Sequence, residues 1–287
     1  MERPKTKILL DGGDPEETRR VKDLLGFLDG QTTNPSLIAK NPEIKQLVAS
    51  GHRLSDSEEL DEYKKIVRTI SPLVGNAGVS IEVYADPKTT TEEMLDQGRK
   101  MFPWIPNGYI KYPCTPEGLR AAQKSVNEGI RVNMTLCFSQ QQAAAVYAAT
   151  KGAKMPVYVS PFVGRLDDIG QDGIVLVRNL KQMFAKGDGH VWVLAASIRK
   201  LEHLLACFHL GVELVTVPAK TLEDWAAQGF PLPDRAFQYK PAGTPIPYEE
   251  LSLDQPWEKF QIAHELTRKG IEKFVADYDA THSRDVA

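Results

Sequence analysis

The unit from which this chain is built is visible in one stretch, Tyr109-Ile110-Lys111-Tyr112-Pro113-Cys114-Thr115-Pro116-Glu117. Its first five residues form a short, mostly apolar run that is typical of a β-strand. Thr115-Pro116-Glu117 then supplies a capping hydroxyl, a proline in the first helical turn and an acid near the positive end of the helix dipole. The stretch therefore predicts a strand that leads directly into a helix.

The same strand-then-helix unit occurs eight times along the 287 residues. The predicted strands are Lys7–Asp11, Leu28–Thr33, Val79–Ala85, Tyr109–Pro113, Arg131–Phe138, Pro156–Val163, His190–Ser197 and Glu213–Pro218. Eight such units without a break in composition are typical of a closed parallel (β/α)8 barrel, the TIM barrel, and an open doubly wound sheet is the alternative. We therefore predict an α/β protein with one barrel domain over residues 1–287.

Two stretches exceed the repeating unit. Pro42–Ser71 predicts a second helix, a polar loop and an extra helix from Asp56 before strand three. Near the C-terminus, apolar residues recur at helical intervals and predict a long amphipathic helix over roughly Trp257–Tyr278, within a C-terminal helical extension of about residues 255–280. Both stretches are expected to decorate the barrel.

Composition and charge exclude several classes of protein. The chain has 35 Lys and Arg against 38 Asp and Glu, a net charge of −3, and no long basic run, so no nucleic-acid partner is expected. Its three cysteines, Cys114, Cys137 and Cys207, are far apart, which favours a reducing cytoplasm over a disulfide framework or a zinc ribbon. No apolar run reaches the length of a membrane span and no signal peptide is recognised, so we expect a cytoplasmic protein without a membrane partner.

Polar residues lie at or near the carboxyl ends of the predicted strands, where barrels of this kind place their chemistry. They are Asp11, Thr33, Asn34, Glu82, Lys111, Asn133, Thr135, Ser160, Arg165, Ser197 and Arg199. By the period-two alternation of a strand, several of these side chains are expected to point into one barrel lumen.

Lys111 is the most informative of these residues. Burial disfavours the charged form of a lysine, and a neutral amine can attack a carbonyl and form a Schiff base. Glu82 and Thr135 would then position the water that is lost and regained, and Asp11 would move a proton at the substrate hydroxyl. Each residue also has a structural alternative. Lys111 would face outward between helices, Asp11 would cap the loop towards Asp14, Glu82 would only pair with Lys111, and Thr135 would be an ordinary strand residue.

Arg165 and Arg199 each follow a serine near a strand end, and their planar donors suit a phosphate group. The alternative is that they form surface salt bridges with Asp167, Asp168 or Glu202. Asp167, Asp168 and Asp172 are interpreted as a solvated turn rather than a cation site, and none of the six histidines is placed for zinc or for a catalytic triad. No glycine fingerprint for a nucleotide follows any strand, so no nucleotide cofactor is expected.

Taken together, these motifs resemble the transaldolase family. The segment Asp29–Ile38 is similar to its Thr-Thr-Asn-Pro-Ser signature, and Ile110–Pro113 is similar to its Schiff-base segment. Further similar blocks are Asn133–Leu136, Ser160–Arg165, Ala195–Arg199 and the closing Leu266–Phe274. The resemblance runs from Ile8 to about Pro218 and resumes in the last helix.

The resemblance implies a barrel that transfers a dihydroxyacetone unit from fructose 6-phosphate or sedoheptulose 7-phosphate to an aldose phosphate, in the non-oxidative pentose phosphate pathway. It also implies an enzyme without metal or cofactor. By this resemblance Lys111 would form the imine, Asp11 would be the acid/base, and Glu82 and Thr135 would hold the catalytic water. The remaining implied substrate contacts are Thr33, Asn34, Asn133, Ser160, Phe162, Arg165, Ser197 and Arg199. We also expect a homo-oligomer with sugar phosphates as its substrates.

Two alternatives stay open. Fructose-6-phosphate aldolases share the fold and the lysine but release free dihydroxyacetone; they carry Gln where this chain has Glu82 and Tyr where it has Phe162, so both positions favour transfer. The other alternative is a barrel that has lost turnover and serves as a binding module. That alternative would require the loss of Lys111 or its partners, and none is missing from this sequence.

Overall fold

The computed structural model describes residues 2–241 and 243–281. Its strands close into one parallel barrel in chain order, with β1 hydrogen-bonded to both β2 and β8. The strands are β1 Lys7–Asp11, β2 Gly30–Thr32, β3 Gly78–Glu82, β4 Gly108–Pro113, β5 Val132–Cys137, β6 Val157–Pro161, β7 Val191–Ala195 and β8 Leu214–Val217. The predicted TIM barrel is therefore confirmed, and the open doubly wound sheet is excluded.

Helices follow the strands and cover the barrel from outside. They are α1 Pro15–Leu25, α2 Pro35–Ile38, α3 Pro42–Ala49, α4 Asp56–Ile70, α5 Thr91–Met101, α6 Pro116–Asn127, α7 Gln140–Ala149, α8 Val163–Asp167, α9 Gly173–Phe184, α10 Leu201–Leu210, α11 Ala219–Ala227 and α12 Glu265–Asp279. The predicted cap at Thr115 is confirmed, since its side chain accepts the Gly118 N–H at the start of α6. Asp14 and Ser139 cap α1 and α7 in the same way. In the described residues no helix is both long enough and apolar enough to cross a membrane.

The lower part of the barrel lumen is filled by an apolar layer. Its members are Leu9, Ala77, Tyr109, Tyr158, Leu194 and Leu214, and the rings of Tyr109 and Tyr158 stack with their centroids 4.1 Å apart. Since strand side chains alternate, the residues two positions later on the same strands point into the lumen one layer higher. Those residues are Asp11, Lys111, Ser160, Thr216 and, just past β7, Ala196, so a mostly polar layer lies directly above an apolar floor.

The extra helix before strand three is confirmed as α4, which begins with a capping box between Ser55 and Glu58. The C-terminal helix is shorter than predicted: it begins at Glu265, not at Trp257. Only a short 3-10 turn forms at Trp257–Lys259. The His264 side chain accepts the Leu266 N–H at 3.2 Å and so caps the start of α12, while the segment before it is bound to α7 through Gln142, which donates to the Ile262 carbonyl at 3.1 Å.

Candidate active site

A cavity of about 190 Å³ opens at the carboxyl ends of the strands. The predicted site residues that line it are Asp11, Asn34, Lys111, Ser160, Phe162, Arg165 and Ser197. It is also lined by Thr32, Ser36, Leu37, Lys40, Ala196, Thr216, Lys273 and Phe274. The barrel therefore brings side chains from six strand ends and from the C-terminal helix α12 around one small space.

Lys111 and Glu82 form a buried ion pair at the bottom of this region. The two residues are register partners on β4 and β3, so their side chains leave neighbouring strands at the same height. Lys111 Nζ lies 2.8 Å from Glu82 Oε2, and each side chain is only 4% exposed. Burial raises the pKa of the Glu82 carboxyl above its usual value, and the Lys111 ammonium opposes that rise. The structure thus rejects the alternative in which Lys111 faces outward.

Asp11 lies on the far side of the cavity in a network of hydroxyls. The Thr32 hydroxyl donates to Asp11 Oδ1 at 2.8 Å and lies 2.6 Å from the Thr216 hydroxyl. Burial raises the pKa of Asp11, while Lys111 lowers it. A carboxyl whose pKa is raised in this way is suited to accept and return a proton. Instead of capping the loop towards Asp14, the Asp11 carboxylate accepts the Thr32 hydroxyl, and Asp14 itself accepts the Glu16 N–H at 2.9 Å.

Asn133 and Ser160 are tied together beside Lys111. The Ser160 hydroxyl donates to Asn133 Oδ1 at 2.8 Å, and Asn133 Nδ2 donates to Ser80 Oγ at 3.0 Å. Asn133 is the register partner of Lys111 on β5, and Thr135 shares its face of that strand. The Thr135 hydroxyl is buried and has no hydrogen-bond partner among the described residues. A buried hydroxyl without a partner is costly, so Thr135 is suited to hold a polar ligand or a water molecule.

The two arginines of the predicted phosphate site have different surroundings. Arg165 lines the cavity, with its guanidinium 5.0 Å from the ring centroid of Phe162 and 5.4 Å from that of Phe274. Burial lowers the pKa of Arg165 and Glu82 opposes the change, but a guanidinium remains charged in either case. Arg165 is therefore a fixed positive charge at the mouth of the site.

Arg199 lies outside the cavity and is paired with an acidic side chain. It forms a bidentate pair with Asp168, with Nη2 2.7 Å from Oδ2, and both side chains are about half exposed, at 48% and 51%. It is not among the cavity-lining residues in the described part of the chain. The salt-bridge alternative is thus observed for Arg199. Its side chain nevertheless packs closely on Gly164, next to Arg165: a Cβ atom added at Gly164 would lie only 2.6 Å from Arg199 Nε.

The acidic residues Asp167 and Asp172 after Arg165 are bound to other groups of the same protein. Asp167 Oδ2 lies 2.9 Å from His203 Nε2, and Asp172 accepts the N–H groups of Ile174 and Val175 at the start of α9. In residues 2–241 and 243–281, no three His, Cys, Asp or Glu side chains are grouped to hold a metal ion.

Several residues that line the cavity were not predicted from the sequence. Thr216, Lys40, Lys273 and Phe274 line the cavity from elements whose packing only the folded chain defines, and Phe274 was recognised only as part of an apolar helical stripe. Conversely, the Thr33 side chain does not line the cavity within the described structure. Its hydroxyl donates to the Ser80 carbonyl at 2.8 Å and meets the Tyr63 hydroxyl at 2.5 Å.

A closed parallel barrel with its polar groups gathered at the carboxyl ends of the strands has the architecture of the (β/α)8 barrel enzymes. The particular family follows from comparison with known proteins. The model of the Transaldolase/Fructose-6-phosphate aldolase family matches residues 8–284, and the chain belongs to this family.

Similar proteins carry related names. A "Probable transaldolase" of Dehalococcoides mccartyi is 38% identical over 216 residues, covering 75% of this chain and 88% of that protein. A "Probable transaldolase 1" of Listeria monocytogenes is 31% identical over 274 residues, covering 96% of this chain and 98% of its own length. A "Probable transaldolase" of Agathobacter rectalis is 33% identical with the same two coverages.

Proposed function

We propose that this protein is a transaldolase. It would transfer a dihydroxyacetone unit from fructose 6-phosphate or sedoheptulose 7-phosphate to an aldose phosphate, through an imine on Lys111, in the non-oxidative pentose phosphate pathway. The observation that carries the proposal is the buried Lys111–Glu82 pair, with Nζ 2.8 Å from the carboxylate, beneath a cavity that also presents Asp11 and Arg165.

Imine formation requires that Lys111 lose a proton and that a carbonyl oxygen leave as water. Glu82 is the adjacent base, and its pKa is raised by burial, so it can take the ammonium proton and return one to the departing hydroxyl. Lys111 Nζ forms a bond to the ketose C2, and the C2–oxygen bond breaks as water is released. The unpartnered Thr135 hydroxyl is suited to hold that water.

Carbon–carbon cleavage follows from the positive charge of the iminium. Asp11 removes the proton of the C4 hydroxyl, the C3–C4 bond breaks, and its electron pair moves towards the iminium nitrogen. The products are a three-carbon enamine on Lys111 and a free aldose phosphate. Addition of an acceptor aldehyde reverses these steps, and Asp11 returns its proton to the new hydroxyl.

Substrate binding divides between two ends of the cavity. Asn34, Asn133 and Ser160 offer hydrogen bonds near Lys111 for the dihydroxyacetone hydroxyls, and Arg165 is the charge for the phosphate. Ser197 lines the same wall with a left-handed φ of 57°, a costly conformation for a non-glycine residue and one of those that cluster at active sites. Arg199 contributes to the phosphate site when it exchanges Asp168 for the ligand.

The test is a two-part assay of purified protein. Fructose 6-phosphate with an aldose phosphate acceptor should yield a new ketose phosphate, and Lys111→Met, with its folded state checked by circular dichroism, should lack that activity. Without an acceptor, the unsubstituted protein should release little free dihydroxyacetone. No transfer with any aldose phosphate acceptor would refute the proposal.

The family description also names fructose-6-phosphate aldolase, so that activity is the second candidate. Release of free dihydroxyacetone as fast as transfer would favour it over the transaldolase. Inactivity towards both donor sugars would instead favour a binding module without turnover.

A further inference from the structure

Tyr63, on the extra helix α4, reaches the catalytic end of the barrel. Its side chain is buried, at 5% exposure, and its ring packs edge-on against Trp104 with centroids 6.0 Å apart. The Tyr63 hydroxyl accepts the backbone N–H of Glu82 at 2.9 Å and lies 2.5 Å from the Thr33 hydroxyl. A helix outside the barrel repeat therefore contacts the strand residue that faces Lys111.

The hydrogen bonds that link Glu82, Tyr63, Thr33 and Ser80 form a series in which each donor is fixed. The Thr33 hydroxyl has one proton, and it donates that proton to the Ser80 carbonyl at 2.8 Å. Tyr63 must therefore donate to Thr33, and its remaining lone pairs accept the Glu82 N–H. Burial raises the pKa of Tyr63, so the phenol keeps the proton that it donates to Thr33.

Tyr63 also takes the place of a backbone acceptor. Thr33 N–H donates to the Ser80 carbonyl at 3.0 Å, and in a continued parallel ladder the Glu82 N–H would next donate to the Thr33 carbonyl. Because the Tyr63 hydroxyl accepts the Glu82 N–H instead, the Thr33 carbonyl is available to Lys111, whose Nζ lies 3.5 Å away.

We infer that Tyr63 is a positioning residue for the Schiff-base chemistry: through its hydroxyl it fixes Glu82 against Lys111 and leaves the Thr33 carbonyl facing the reacting amine. The inference rests on the proposed transaldolase function. It gives α4 a role in catalysis, where the sequence predicted only a decoration of the barrel.

The first test is Tyr63→Phe, which keeps the ring against Trp104 and removes only the hydroxyl. The matched control is Tyr147→Phe on α7, a buried side chain whose hydroxyl likewise accepts a backbone N–H, that of Asp188, at 2.9 Å. A misplacement of the catalytic groups by a fraction of an ångström should lower kcat about tenfold in Tyr63→Phe. The KM for the ketose phosphate should change less than twofold, because Arg165 is untouched.

The pH profile separates positioning from a general loss of stability. If Glu82 moves away from Lys111, it loses part of the charge that lowers its pKa. The acid limb of the kcat profile should then move to higher pH in Tyr63→Phe. Tyr147→Phe should keep both kcat and the acid limb of the unsubstituted protein.

Thr33→Val removes the next hydroxyl of the same hydrogen-bond series and serves as the second variant if Tyr63→Phe does not fold. Since both substitutions break one series of hydrogen bonds, the double variant should be no slower than either single one. Equal kcat and equal pH profiles for Tyr63→Phe and Tyr147→Phe would overturn the inference, as would an unchanged kcat in Thr33→Val. Failure of the unsubstituted protein to form a borohydride-trapped adduct on Lys111 would instead refute the proposed function.

Discussion

Removal of the charge on Lys111 should destabilise the protein in a way that depends strongly on pH. Lys111→Met leaves the Glu82 carboxyl buried at 4% exposure without the ammonium that now lies 2.8 Å away. Breaking a buried ion pair on one side costs about 3–5 kcal/mol, because the remaining charge is unpaired. The free energy of unfolding of Lys111→Met should therefore fall by about that amount at neutral pH.

The sign of the pH dependence follows from the pKa of Glu82. Burial already raises this pKa, and loss of Lys111 raises it further. Between the unfolded and folded pKa values of Glu82 the native state binds more protons than the unfolded state, so the stability of Lys111→Met falls as pH rises through that window. Below the unfolded pKa the carboxyl is protonated in both states, and most of the penalty should disappear.

Urea unfolding at several pH values measures this effect, with Lys151→Met as the control. Lys151 pairs with Asp254 at 3.1 Å, but the two side chains are 59% and 85% exposed, so its loss should change stability by less than about 1 kcal/mol. The double variant Lys111→Met with Glu82→Leu should regain the stability lost in the single one, since neither charge remains. A pH-independent loss in Lys111→Met, or no recovery in the double variant, would refute the account of this buried pair.

Three further predictions concern the substrate. Asp11→Asn should lower kcat for transfer by about 10²- to 10⁴-fold while imine trapping on Lys111 continues, because only the proton transfer of carbon–carbon cleavage is lost; loss of trapping as well would place Asp11 in the imine step. Arg165→Gln should lower kcat/KM for fructose 6-phosphate by about tenfold or more and leave unphosphorylated fructose unaffected, since charge-assisted hydrogen bonds contribute about 1.5–3 kcal/mol; an equal loss for both sugars would contradict a phosphate role. Asp168→Asn should lower the KM for phosphorylated donors, because it releases Arg199 from its carboxylate partner; an unchanged KM would exclude Arg199 from the phosphate site.

The barrel could be predicted from the sequence because a short continuous stretch of residues is sufficient to indicate each strand. Each strand of the structure overlaps a predicted apolar run, and β1, Lys7–Asp11, matches its run residue for residue. The observed strands are often shorter, as in β2 at Gly30–Thr32, because the apolar runs continue into the residues that form the loops. Strand-end polarity was sufficient to locate Lys111 and Asp11, since parallel strands bring their carboxyl ends to one face.

What the sequence could not provide depends on contacts between distant residues. The predicted start of α12 was too early because the helix begins at the His264 cap, and the segment before it packs on α7 through the contact of Gln142 with Ile262. Tyr63 resembles any other apolar-face residue of an amphipathic helix, and only the folded chain shows its hydroxyl on Glu82. Arg199 follows a strand as Arg165 does, and nothing in the pattern distinguishes the arginine that lines the cavity from the one paired with Asp168.

The central claim is that Lys111 forms a covalent imine with the substrate. Borohydride reduction in the presence of fructose 6-phosphate, followed by peptide mass mapping, tests it most directly. We expect a reduced three-carbon adduct on Lys111, absent from Lys111→Met and removed by an acceptor aldehyde added before the borohydride. No adduct, or an adduct on a different lysine such as Lys40 or Lys273 at the mouth of the cavity, would contradict the account.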